Sequence, residues 1–75
     1  MNTQVVKEII AKHAKVDADK LDLNADFKND LHFDSIDLFQ VIVEVEEALH
    51  IKIDNDKLIN IKTIKDALDS VENVK

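Results

Sequence analysis

Neither glycine nor proline occurs anywhere in the 75 residues. Glycine normally supplies turns that need positive φ, and proline those that need a fixed φ. Without them there is no glycine loop to cradle a nucleotide and no X-Pro isomerisation step, so turns have to come from Asp and Asn. Cysteine is absent as well, which removes disulfides and thiolate metal sites as reinforcement. A chain of this length forms one domain, residues 1–75, around one modest core, and apolar packing alone has to hold it.

Apolar residues recur at helical spacing in three places. Val5, Val6, Ile9 and Ile10, continued by Ala14, predict a first helix over about Thr3–Lys15 with Thr3 as its cap. The strongest signal runs from Asp34 to Leu49, where Leu38, Ile42, Val45 and Leu49 follow i, i+4, i+7, i+11, with Phe39 and Val41 flanking. A last helix is expected behind Thr63, whose partner Asp66 completes a variant capping box, with Ile64, Ala67, Leu68 and Val71 inward. Between the first two helices, residues 16–33 carry Val16, Leu21, Leu23, Phe27, Leu31 and Phe33 without sustained periodicity. They predict a long ordered loop pinned to the core by those side chains, with a short helical turn near Leu21 or Phe27. Ile51-Lys52-Ile53 alternates like a strand but has no partner, so it is an extended connector. A short helix is expected from Asp54 to near Asn60, and Asn73 to Lys75 are expected to fray. The fold class is therefore all-α, a small four-helix bundle of three longer helices and one short one.

Sixteen acids face ten bases, all of them Lys, for a net charge of −6. No basic surface is available to bind nucleic acid. No stretch reaches the roughly 18 to 20 apolar residues of a membrane span, and the N-terminal residues lack a signal-peptide core. A soluble, cytoplasmic, monomeric protein is expected. The segment from Asp34 to His50 holds Asp34, Asp37, Glu44, Glu46 and Glu47 and no Lys, a single-sign face that would recruit a basic partner.

On a helical wheel at about 100° per residue, the core stripe of the second helix centres between Leu38 and Ile42. Gln40 and Glu47 lie opposite, with Asp37 and Glu44 to one side. Ile36 and Val43 fall on that outward face, where a soluble helix ordinarily carries polar residues. Two exposed aliphatics in an acidic field form a docking surface for brief, salt-sensitive encounters, unless they are scattered surface residues of no consequence. Ser35 sits where the long loop becomes this helix, in its first turn behind Asp34, beside free backbone N–H groups that favour an attached phosphate. Its plain alternative is that Asp34-Ser35 is only a capping pair.

Asp34-Ser35-Ile36, preceded by Asp30-Leu31 and followed by Asp37-Leu38 and an acidic helix ending in Glu46-Glu47-Ala48-Leu49, resembles the phosphopantetheine attachment motif of acyl carrier proteins. The resemblance extends over length, acidity, the long first loop, the Ile51-Lys52-Ile53 connector and the Thr-led last helix. It implies that a separate phosphopantetheinyl transferase, using coenzyme A, places 4′-phosphopantetheine on Ser35. The arm's thiol would then carry growing acyl chains as thioesters to fatty-acid synthesis enzymes with basic docking patches, the carrier itself being no enzyme. It further implies that Asp34, Ile36, Asp37, Val43, Glu44, Glu46 and Glu47 meet those partners. Phe27, Leu38, Ile42, Val45, Leu58, Ile61, Ile64 and Leu68 would line an expandable acyl pocket between the helices. The sequence departs from the family pattern at His32, where glycine is usual two residues before the motif Asp, at Gln40, where Glu is frequent, and after Ile53, where Pro is frequent.

Carriers of the same fold with D-alanyl or peptidyl cargo are alternatives, as is an arm-free helical adaptor. An enzyme would need Ser35 with His13, His32 or His50, without a nucleophile elbow or an oxyanion glycine. Asp22-Leu23-Asn24-Ala25-Asp26 matches the start of an EF-hand loop, but Phe27 stands where glycine is required and Phe33 where a bidentate Glu is required, so no specific metal site is expected.

Overall fold

A computed structural model of the protein describes residues 2–72; the expected fraying of Asn73 to Lys75 lies outside them. Four α-helices appear: α1 (Asn2–Ala14), α2 (Ser35–Leu49), α3 (Asn55–Leu58) and α4 (Ile64–Glu72), with one 3₁₀ turn at Ala18–Lys20. α1 begins before Thr3, so Thr3 lies inside the helix and does not cap it. α3 is shorter than the sequence predicts. After Leu58 the chain tightens into i→i+3 turns, with the N–H groups of Asn60 and Ile61 donating to the carbonyls of Lys57 and Leu58.

Both long helices end in a left-handed residue. Lys15 has φ 62° and His50 φ 56°. Behind them the Val16 N–H donates to the Ala11 carbonyl and the Ile51 N–H to the Glu46 carbonyl, each at 3.1 Å. This is the Schellman arrangement in which glycine is the usual residue. In a chain without glycine, each such position costs about 1 kcal/mol in Cβ repulsion.

α1 packs against α2 and α4. The core joins Val6, Ile9 and Ile10 of α1, Val41, Ile42 and Val45 of α2, and Ile64, Ala67, Leu68 and Val71 of α4. The long loop adds Phe27 and Phe33, whose rings stack with centroids 5.7 Å apart; burying each ring contributes about 2 to 3 kcal/mol before entropy is counted. Val16 and Leu23, expected to pin this loop as well, are exposed. Backbone bonds take their place. The Phe27 N–H donates to the Lys62 carbonyl at 2.9 Å, the Ile64 N–H to the Ala25 carbonyl at 3.2 Å and the Lys65 N–H to the Leu23 carbonyl at 2.8 Å. An isolated antiparallel bridge joins Asp26 and Thr63. The orphan first-turn donors of α4 are thus satisfied by the loop. The capping box read from the sequence is present too, with the Asp66 N–H donating to Thr63 Oγ1 and the Thr63 N–H to the Asp66 carboxylate, both at 3.1 Å. Bonds from the Lys62 and Thr63 N–H groups hold the Asp66 carboxyl below its ordinary range.

The acids of the EF-hand-like stretch build turns. Asp22 accepts from the Asn24 N–H, and Asp26 from the N–H groups of Lys28 and Asn29. Among the described residues no cluster of His, Asp or Glu is arranged to hold a metal ion, and no helix is long and apolar enough to cross a membrane.

Candidate functional site

The start of α2 is built by two aspartates. Asp34 is the N-cap, and its carboxylate accepts from the Asp37 N–H at 2.8 Å, while the Asp37 carboxylate accepts from the Asp34 N–H at 3.1 Å. This reciprocal box satisfies the Asp34 and Asp37 N–H groups without using the Ser35 hydroxyl. The plain reading of Asp34-Ser35 as a capping pair therefore accounts for Asp34 and Asp37 but not for the serine, which stands exposed in the first turn. His32, at the position where the resembled family usually has glycine, has φ 59°. Glycine suits that position because the backbone is left-handed there, and histidine tolerates it better than most residues.

Two open clefts meet at Ser35. One, of about 540 Å³, lies between the loop and the approach to α4 and is lined by Asp26, Phe27, Lys28, Asn29, Phe33, Asp34, Ser35, Leu38, Ile61 and Lys62. The other, of about 530 Å³, lies between α2 and α3 and is lined by Ser35, Leu38, Phe39, Ile42, Asn55, Leu58, Ile59 and Ile61. Of the residues expected around an acyl pocket, Phe27, Leu38, Ile42, Leu58 and Ile61 border these clefts. Val45, Ile64 and Leu68 do not; they are packed in the core. Phe33, Phe39 and Ile59 were missed. The signals available were Phe39 one helical turn beyond Ser35 and Phe33 two residues before it.

The buried face of α2 is turned toward Val41 relative to the expected stripe, so Phe39 is 58% exposed and joins Ile36 at 67% and Ile59 at 77% as the large apolar surface near Ser35. Val43 is half-buried. Asp34 and Glu47 are exposed and Asp37 half-buried. Glu44 and Glu46 are engaged within the chain. Glu44 faces α1, where it pairs with the Lys12 ammonium and lies 2.8 Å from His13 Nε2. The hydrogen bond from Lys12, then that from His13, holds its carboxyl below the ordinary value. The Glu46 carboxylate accepts from the Ile53 N–H at 2.7 Å. A wheel cannot show this, because Lys12 and His13 lie 32 and 31 residues from Glu44 on another helix, and Ile53, though only 7 residues from Glu46, lies past the end of α2.

The local residues fit a long group attached at Ser35. The hydroxyl is accessible, the backbone N–H groups of a helix start surround it, and the clefts offer one partly polar and one more apolar course away from it. Among the described residues no histidine is hydrogen-bonded to Ser35: His13 is engaged with Glu44, His50 closes the far end of α2, and His32 stands exposed in the left-handed approach without a bond to the hydroxyl.

Comparison with known proteins agrees with this geometry. The family described as the phosphopantetheine attachment site matches residues 4–71. An acyl carrier protein of Lactobacillus acidophilus is 37% identical over 67 residues, covering 89% of this chain and 84% of the relative. One of Zymomonas mobilis is 34% identical over 67 residues, covering 89% and 86%. Among solved structures, a proposed acyl carrier protein from Mycobacterium tuberculosis superposes with a TM-score of 0.86 at 32% identity, covering 96% of each chain. The apo doublet acyl carrier protein from prodigiosin biosynthesis gives a TM-score of 0.79 at 28% identity, covering 99% of this chain and 36% of that one. The chain belongs to the phosphopantetheine attachment-site family as an acyl carrier protein, a carrier and not an enzyme.

Proposed function

We propose that Ser35 is the attachment residue and that residues 1–75 act as one carrier domain, delivering growing fatty acyl chains to synthesis enzymes in the cytoplasm. The observation that carries this reading is the helix start: Asp34 and Asp37 complete the cap between themselves, leaving an exposed serine hydroxyl at the junction of two clefts. When bound, the arm supplies a thiol that holds an acyl group as a thioester. The chain's own residues do the rest. Ser35 provides the acceptor hydroxyl, while the transferase provides the base, since no histidine of this chain is engaged with that hydroxyl. Leu38, Ile42, Leu58 and Ile61 offer apolar surface that keeps an acyl chain from water. Asp34, Asp37 and Glu47 supply the field that steers a basic enzyme, and Ile36, Phe39 and the partly covered Val43 supply apolar contact once it arrives. Glu44 and Glu46 add to the field from fixed positions. The same field keeps two copies of the chain apart, in line with a monomer.

The test is intact mass before and after incubation with coenzyme A, Mg²⁺ and a broad-specificity phosphopantetheinyl transferase. One phosphopantetheinyl increment is expected, absent in Ser35→Ala; no increment on folded wild-type protein would overturn the assignment. Loading of the product by a malonyl transferase but not by a D-alanine ligase separates fatty-acid from D-alanyl cargo.

A further inference from the structure

In a chain of net charge −6, the cleft between the loop and the approach to α4 contains two lysines, Lys28 and Lys62, beside Ser35. Both are exposed. Among the described residues the ion pairs are those of Lys12 and His13 with Glu44 and of Lys20 with Asp17, so neither Lys28 nor Lys62 has a carboxylate within pairing distance. The carboxylates nearest in the sequence accept from backbone donors: Asp26 from Lys28 and Asn29, Asp30 from Asp26, and Asp66 from Lys62 and Thr63. Lys62 acts on Asp66 through its charge, but among the described residues neither ammonium is held in an ion pair, and both lysines stand exposed at the cleft. The segments that carry them are fixed to each other by the bond from the Phe27 N–H to the Lys62 carbonyl, so both cations stay at one cleft. The second cleft is lined by Ser35, apolar residues and Asn55, with no cation.

Resting on the assignment of Ser35, we propose that this cleft is where the attached arm lies, with Lys28 and Lys62 as positioning residues for its phosphodiester and amide carbonyls. The phosphodiester carries a negative charge and is fixed at Ser35 between Asp34 and Asp37, which repel it; the cleft with the two lysines also carries Asp26 and Asp34, but it offers cations where the α2–α3 cleft offers none, and that gives the phosphodiester a preferred direction. Asn29, on the same wall, adds a donor and an acceptor suited to an amide of the arm.

The test uses the apo protein and the arm-bearing protein, with loading verified by mass in every sample. On loading, the backbone amide resonances of Phe27, Lys28, Asn29, Ile61 and Lys62 should shift in ¹⁵N-labelled protein, and the ³¹P resonance should depend on ionic strength. In Lys28→Gln/Lys62→Gln the amide shifts should roughly halve, and the arm's thiol should react with a disulfide reagent roughly two- to fivefold faster, the scale expected of two exposed charge contacts. Lys65→Gln, on an exposed α4 residue outside the cleft, should change neither. Wild-type amide shifts confined to Ser35 and its immediate neighbours, or a double variant that behaves as wild type, would overturn the docked arm while leaving the attachment site intact. Absence of the mass increment would overturn the assignment of Ser35 itself.

Discussion

Replacing Glu46 should cost far more than replacing Glu47, although the two adjoin on the same acidic helix. The Glu46 carboxylate accepts from the Ile53 N–H at 2.7 Å, and Ile53 is only 2% exposed. The Glu46 carbonyl also receives the N–H groups of His50 and Ile51, so the turn out of α2 is wrapped around this one residue. Glu46→Ala would leave the Ile53 donor buried without a partner, a cost of about 1–3 kcal/mol. Alanine itself adds no helix-propensity penalty, and losing one negative charge near Glu47 returns only a few tenths of a kcal/mol. A domain of this size loses roughly 4–8 °C of melting temperature per kcal/mol, so a loss of about 2 kcal/mol corresponds to roughly 8–16 °C. Glu46→Gln removes the same charge but keeps an acceptor oxygen, so it should lose less than about 1 kcal/mol. Glu47→Ala, on an exposed residue, should stay within about 0.5 kcal/mol of wild type. Circular dichroism melts and urea titrations of the three variants measure this. If Ala and Gln at position 46 prove equal, or if both match Glu47→Ala, the hydrogen bond to Ile53 is not what Glu46 contributes.

Mg²⁺ or Ca²⁺ at millimolar concentration should raise the melting temperature by screening the acids around α2; an unchanged melt would count against that repulsion. His50→Gly should stabilise the fold by about 0.5–1 kcal/mol, because glycine relieves the left-handed C-terminus of α2, whereas His50→Ala should not; urea midpoints distinguish them. Glu44 and Asp66 have lowered carboxyl pKa values in the fold, so near those values the unfolded chain binds more protons. The stability they contribute is present above about pH 5 and is lost as pH falls through the folded values. Melting temperatures between pH 5 and 3 should therefore fall less steeply in Asp66→Asn than in wild type, and parallel curves would refute the linkage.

What the sequence reveals divides along local and distant causes. The existence of α2, its start behind Asp34 and the Thr63–Asp66 box depend on residues within a turn or two of one another, and all are legible as spacing and capping chemistry. The spacing puts Phe39 beside the core, but α2, packed on α1, buries Val41, Ile42 and Val45 and leaves Phe39 outward. Glu44 and Glu46 have the composition of docking acids, yet Lys12 and His13 of α1 and the Ile53 backbone hold them. The left-handed turns at Lys15 and His50 carry no signal because the residue that ordinarily announces them is missing, and the one at His32 is marked only by the glycine usual there in the resembled family. At the candidate site, Ser35 and its acidic flanks were readable, whereas the two clefts arise from segments far apart in the chain.

The strap between the loop and the approach to α4 has a temporal consequence. Its donors and acceptors, Phe27 with Lys62, Ala25 with Ile64 and Leu23 with Lys65, are separated by roughly 40 residues, only a little more than the 32 and 31 between Lys12 or His13 and Glu44, so loop closure adds little and what orders them is the availability of residues 62–65. The wall beside Ser35 cannot close until residues 62–65 have been synthesised and released. A nascent chain halted before that point would display the serine motif on a helix with an unanchored approach, so a transferase that requires the finished wall would distinguish completed carriers from unfinished ones.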